Sequence, residues 1–156
     1  ALAGDSGGGT FAATTSALAQ NDALLPVEKQ VLIYPSLDYT LTQPSITENG
    51  RGYLLEAERI GWYFQHYFQH HEDRRGASPL YMPVSNRLPA TLVISAQYCP
   101  LRDEALAYVQ RLNDAGVVCH HRHFDDMIHA YLNLESLAPD ACAATYQEIA
   151  AFLNGD

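Results

Sequence analysis

Basic residues are scarce in this chain: Lys and Arg number 9 against 18 Asp and Glu, and the net charge is −9. That balance argues against a nucleic-acid partner, which requires a basic surface, and against binding to an acidic membrane surface. No stretch reaches the roughly 20 consecutive apolar residues needed to cross a bilayer. Cysteine is limited to Cys99, Cys119 and Cys142. An odd, sparse set of this kind argues against a disulfide framework and fits a reducing, cytoplasmic compartment. Internal repeats and low-complexity tracts are absent. So are the Gly-Lys-Ser/Thr of a phosphate loop and a G-x-G-x-x-G unit followed by a ribose-binding acid, which removes the usual nucleotide-binding readings.

What is present begins four residues in. Gly4-Asp5-Ser6-Gly7-Gly8 matches G-x-S-x-G, the turn that presents a nucleophilic serine between a strand and a helix. Small residues are needed because the turn brings backbone segments into close approach. The same turn places the N–H of Gly7 at a helix start, where it can stabilise an oxyanion. Residues 10–21 are alanine-rich and free of proline, as expected for a closely packed helix. Residues 30–34, Gln-Val-Leu-Ile-Tyr, end at Pro35 and read as a buried parallel strand. The spacing further predicts a helix over 52–67, a strand over 91–96 and a helix over 103–115 with Gly116 at its C-terminal turn. A strand over 117–124 and a helix over 139–153 opened by Pro139 follow. Alternating strands and helices imply a mostly parallel sheet with helices on both faces. The length and the hydrophobic fraction of 47% suit one domain, residues 1–156.

The chain resembles the hormone-sensitive-lipase-like esterases of the α/β-hydrolases nearly end to end. The resemblance rests on Gly4-Asp5-Ser6-Gly7-Gly8-Gly9, on Tyr34-Pro35 with Asp38, and on residues 45–50 leading to a helix with Trp62 and Tyr67. It continues through Ala77-Ser78-Pro79-Leu80, Leu88-Pro89-Ala90, Pro100-Leu101-Arg102-Asp103-Glu104 and Met127-Ile128-His129. It implies a partial α/β-hydrolase fold, the C-terminal portion from the nucleophile turn onward, without the first half, the cap and the H-G-G-G loop of the family. It implies Ser6 as nucleophile, His129 as base and Gly7 N–H as an oxyanion donor. It also implies a serine carboxylesterase of short acyl esters that needs no cofactor. On this reading an open sheet edge invites self-association or a companion chain carrying the first half.

One departure bears directly on catalysis. The family's acid stands at the position of Cys99, and a thiol is a poor acceptor for orienting an imidazole. Asp38, after the preceding strand, is one candidate substitute. Asp103, four residues on, is another. A weak Ser–His pair without an acid and an inactive packing or binding module are the remaining readings. Two further departures flank the histidine, where Asp126 and Ala130 replace the family's glycines.

Cys119-His120-His121-Arg122-His123 superficially suggests metal binding. On a strand, however, His121 and His123 share one face and His120 takes the other, short of the three or four ligands of a zinc site. His66, His70 and His71 read as a solvated helix end. No metal site is expected. Trp62, Tyr63, Phe64, Tyr67 and Phe68 read as packing residues rather than as a substrate pocket.

Overall fold

A computed structural model describes residues 1–155. Four strands, β1 (Leu2–Asp5), β2 (Lys29–Ile33), β3 (Ala90–Tyr98) and β4 (Cys119–Ile128), form one parallel sheet in the order β1-β2-β3-β4. The helices are α1 (Gly7–Ala19), α2 (Pro44–Glu48), α3 (Ala57–Tyr67), α4 (Arg74–Ala77), α5 (Arg102–Asp114) and α6 (Pro139–Asn154). Short 3-10 turns cover Pro79–Tyr81 and Tyr131–Leu134.

The apolar runs of β2 and β3 are continuous because both faces of the sheet are covered. Side chains alternate accordingly. Val31, Ile33, Leu92, Ile94 and Ala96 pack on one side with Ile60 and Phe64 of α3 and Cys142 and Phe152 of α6. Leu32 and Val93 pack on the other with Ala12 and Ala13 of α1 and with Ala105, Tyr108 and Leu112 of α5. Full burial of such a Leu, Ile or Val stabilises the fold by about 1.5–3 kcal/mol. The alanines of α1 let that helix lie close to the sheet. Its outer face is apolar and open: Phe11 is 67% and Leu18 73% exposed.

Most predicted elements stand within a few residues of their expected bounds, and two differ for identifiable reasons. The helix expected over 52–67 begins only at Ala57. Leu54 sits at φ 69° and Ala57 N–H donates to Gly50 O, so residues 50–56 close a loop before the helix starts. The last strand runs past Phe124 to Ile128, because its pairing with β3 shifts register between Ala96 and Tyr98 and then resumes. Such a bulge lets a strand continue while bending.

Candidate active site

Asp5, the last residue of β1, is paired with Ile33, and Ser6 N–H donates to Ile33 O at 2.9 Å. Ser6 O accepts from Gly9 and Thr10 of α1 and from Ser36 after β2. The backbone of Ser6 is thus held from three directions at φ 50°, ψ −119°, a conformation that costs a non-glycine residue of order 1–3 kcal/mol. Within the turn the steric demand for glycine is tightest at Gly4, with Gly9 next, where a Cβ would lie 2.7 Å from Pro35 Cβ. A Cβ at Gly4 would lie 2.2 Å from the backbone C and O of Gly8. Among the described residues, Gly7 N–H makes no backbone hydrogen bond, and it opens α1 beside the serine.

His129 follows β4 directly. In a regular sheet β1 and β4 lie three strand spacings apart, about 14 Å. The bulge after Phe124 and the turn at Ala130 bring the imidazole back across the strand ends, where Nε2 is 3.0 Å from Ser6 Oγ. Ala130 takes φ 60°, ψ 24°, the left-handed conformation in which a Cβ costs roughly 1–2 kcal/mol. This accounts for glycine being the family's choice there. Tyr34 meets the imidazole edge-on at 4.8 Å between ring centroids.

The other imidazole nitrogen, Nδ1, faces Cys99 Sγ at 3.2 Å, and Leu101 N–H donates to the same sulfur at 3.3 Å. The position that meets the histidine is therefore the one held by the family's acid, and the group in it is a thiol. Burial pushes that thiol far above its usual range, so it is neutral. Burial likewise pushes His129 down to about 4. Without an anion at Nδ1, nothing offsets the cost of an imidazolium.

Neither alternative acid is brought to the imidazole. Asp38 is buried, and its carboxylate accepts from Thr40 N–H and O–H, Gln43 Nε2 and Tyr81 O–H. Burial raises its pKa, but the hydrogen bonds from Thr40, Gln43 and Tyr81 outweigh this and hold it below the usual value. Asp103 accepts from Ser45 N–H and pairs with Arg102. The two hydrogen bonds of His129 go to Cys99 and Ser6. Glu104 is fully buried, and one of its oxygens accepts from Leu37 N–H at 2.6 Å. Its other oxygen has no partner among the described residues, and burial drives its pKa well above the ordinary carboxylate value.

Ser6 and Gly7 lie at the base of a cavity of about 380 Å³, within the size range of small-molecule sites. Tyr39, Tyr63, Phe64 and Tyr67 line it. The aromatic helix expected only to pack therefore does both jobs. Phe64 is buried against the core and closes the inner wall of the cavity, Tyr63 and Tyr67 line it with more of their rings exposed, and Trp62, 53% exposed, is not part of its lining. Sequence periodicity placed these rings on a helix but could not place the helix over the serine. Among the described residues no three His, Cys, Asp or Glu side chains converge as a metal cage. None of the described helices is long and apolar enough to cross a membrane.

A serine on a strained strand–helix turn, a histidine after the last strand and a parallel sheet between them define the α/β-hydrolase arrangement. The chain belongs to the alpha/beta hydrolase fold family, whose model matches residues 1–133, in its hormone-sensitive-lipase-like branch. It is 33% identical to the ethyl acetate hydrolase of Pseudomonas putida over 144 residues, 90% of this chain and 45% of that protein. It is 31% identical to the carboxylesterase NlhH of Mycobacterium tuberculosis, over 97% of this chain and 49% of that protein. Among solved structures it resembles a hyperthermophilic esterase from the archaeon Pyrobaculum calidifontis. The TM-score is 0.88 at 34% identity, covering 96% of this chain and 50% of that one. The chain spans about half the length of the relatives it matches.

The buried histidine gives stability a pH dependence. The unfolded chain takes up its imidazole proton near 6.5 and the folded chain only near 4. Between those values the unfolded state binds more protons, so stability falls as pH drops through that window. The contribution lost is on the order of 3 kcal/mol. Urea unfolding at pH 7.5 and at 4.5 is expected to show a drop that shrinks by about that amount in His129→Gln. An equal drop in both proteins would show that the imidazole is not held neutral by burial.

Proposed function

We propose that this chain carries the nucleophile and base of a serine carboxylesterase acting on short acyl esters, with a catalytic centre weakened by Cys99. The observation that carries this reading is the 3.0 Å approach of His129 Nε2 to Ser6 Oγ on a nucleophile turn. Ser6 Oγ attacks the ester carbonyl and His129 Nε2 takes its proton. Gly7 N–H contributes to holding the oxyanion of the tetrahedral intermediate. His129 then returns the proton to the departing alcohol, and water hydrolyses the acyl-enzyme by the same route.

Cys99 weakens this sequence in two ways. The nucleophile requires the tautomer with its proton on Nδ1, leaving Nε2 free to accept. A carboxylate at Nδ1 enforces that tautomer, whereas a neutral thiol can donate as well as accept and so also admits the opposite one. The imidazolium formed on proton transfer also lacks a counter-charge. The same two features favour a second reading, an esterase portion that serves as a packing or binding partner. In either reading the side of β1 that pairs with no strand among the described residues, and the exposed Leu18 of α1, are where a further segment, a companion chain or a second copy would pack. Three free cysteines fit a cytoplasmic setting.

The two readings separate on covalent labelling. A fluorophosphonate probe is expected to modify Ser6, with labelling and hydrolysis of p-nitrophenyl acetate both lost in Ser6→Ala. A folded chain that takes no label, beside a control esterase that does, would leave only the non-catalytic reading.

A further inference from the structure

A second group of polar side chains lies away from Ser6, on the face of the sheet that carries α5. Ser95 of β3 is buried, and its Oγ lies 2.8 Å from His121 Nε2 and 2.7 Å from His123 Nδ1. Two imidazoles two residues apart on β4 thus aim one nitrogen each at a single oxygen. His123 Nε2 lies 3.1 Å from Gln97 Oε1, and Asp125 Oδ1 is 3.5 Å from the same nitrogen. Both of those oxygens only accept, so His123 carries its proton on Nε2 and turns a lone pair inward from Nδ1. The Ser95 hydroxyl donates to that lone pair and accepts N–H from His121 Nε2. His121 is exposed to solvent, and β4 pairs on one side only among the described residues.

We propose that His121 and His123 form a binding site for a divalent transition-metal ion of the zinc, nickel or copper type. The nitrogen ligands are His121 Nε2 and His123 Nδ1. The Ser95 hydroxyl oxygen and solvent complete the coordination. Imidazole nitrogen suits these ions, and they prefer it to the all-oxygen sets of calcium and magnesium. Gln97 acts from outside, because an outer acceptor on the far N–H fixes the tautomer and raises the basicity of the ligating nitrogen.

On binding, His121 moves its proton from Nε2 to Nδ1 through solvent, and the Ser95 hydroxyl turns its hydrogen away from Nδ1 of His123. No net proton is released and no electron moves. The rings close inward, since metal–nitrogen distances are about 2.0–2.1 Å. With two protein nitrogens and open positions, the site is an exchangeable one rather than a structural cage. It clamps β3 to β4 one residue pair before their register shifts toward Ile128 and His129.

Zinc or nickel chloride titrated calorimetrically into the untagged chain is expected to bind one to one. His121→Ala and His123→Ala should each abolish that event, and Gln97→Ala should weaken it by about 10–100-fold. His120→Ala, whose ring packs on the opposite face against Phe152, and Cys119→Ser should leave it unchanged. Copper loading should give an electron-resonance pattern with coupling to two imidazole nitrogens. His121 is a surface residue, so its variant keeps the fold, which circular dichroism would verify. Absence of saturable binding would overturn the proposal. So would binding that survives the His121→Ala/His123→Ala double change, or binding that disappears in Cys119→Ser.

Discussion

Replacing Cys99 with aspartate is expected to raise kcat/KM for a short p-nitrophenyl ester by up to about 10⁴-fold, the scale on which a triad acid matters in serine proteases. The position already touches His129 Nδ1 at 3.2 Å, so the substitution supplies charge without moving the histidine. A carboxylate there accepts the Nδ1 proton, leaves Nε2 free for Ser6 and stabilises the imidazolium. It also lifts His129 from its depressed value of about 4 back toward the ordinary range, so the acidic limb of the rate profile should move to higher pH. Leu101 N–H, now on the sulfur, is available to the new group. Cys99→Asn is the control: it matches the size, lacks the charge and should give no comparable gain. Equal rates for the aspartate and asparagine variants would show that the thiol is not what limits this site.

Gly4→Ala is expected to be among the most damaging single-methyl additions in the chain. The added carbon would stand 2.2 Å from the Gly8 carbonyl and 2.7 Å from Gly9 N. All of these are backbone atoms of α1, so no side-chain rotation relieves the clash and the helix must move off the strand end. Overpacking of this kind costs about 1–3 kcal/mol and occasionally more, a fall in Tm of roughly 2–12 °C at this chain length. Because α1 also fixes the Ser6 turn, fluorophosphonate labelling should drop even at temperatures where the fold survives. Gly8→Ala is the informative contrast. Its Cβ would meet only Asp5 Oδ1, at 3.8 Å, and alanine favours a helix by up to about 1 kcal/mol. Similar melting temperatures for the two variants would contradict the close approach at Gly4.

Much of this architecture was legible in residue order. Alternation of apolar strands with helices led to a parallel sheet, and the glycine-rich turn marked Ser6. What escaped depended on contacts between distant segments. The loop at 50–56 is set by Leu54 in a left-handed conformation and by a hydrogen bond from Ala57 to Gly50, neither of which a helical pattern announces. Asp38 was a reasonable candidate acid from its place after a strand. Its four donors come from Thr40, Gln43 and Tyr81, and the last of these lies 43 residues away. Tyr63 and Tyr67 looked like packing residues because composition cannot tell a ring against the core from a ring beside a cavity. Cys99 shows the opposite case, since a single position read against its family motif identified the residue that faces His129.

The dyad also joins the two outer strands of the sheet. Ser6 follows β1, His129 follows β4, and 123 residues separate them in sequence. β2 and β3 lie between, so the hydroxyl and the imidazole can meet only when every strand of the sheet is in register. Formation of the site therefore cannot precede completion of the sheet during folding. In this chain, capture of a covalent probe by Ser6 would be a readout of the whole topology, and partly assembled chains with β4 still detached would be silent to it.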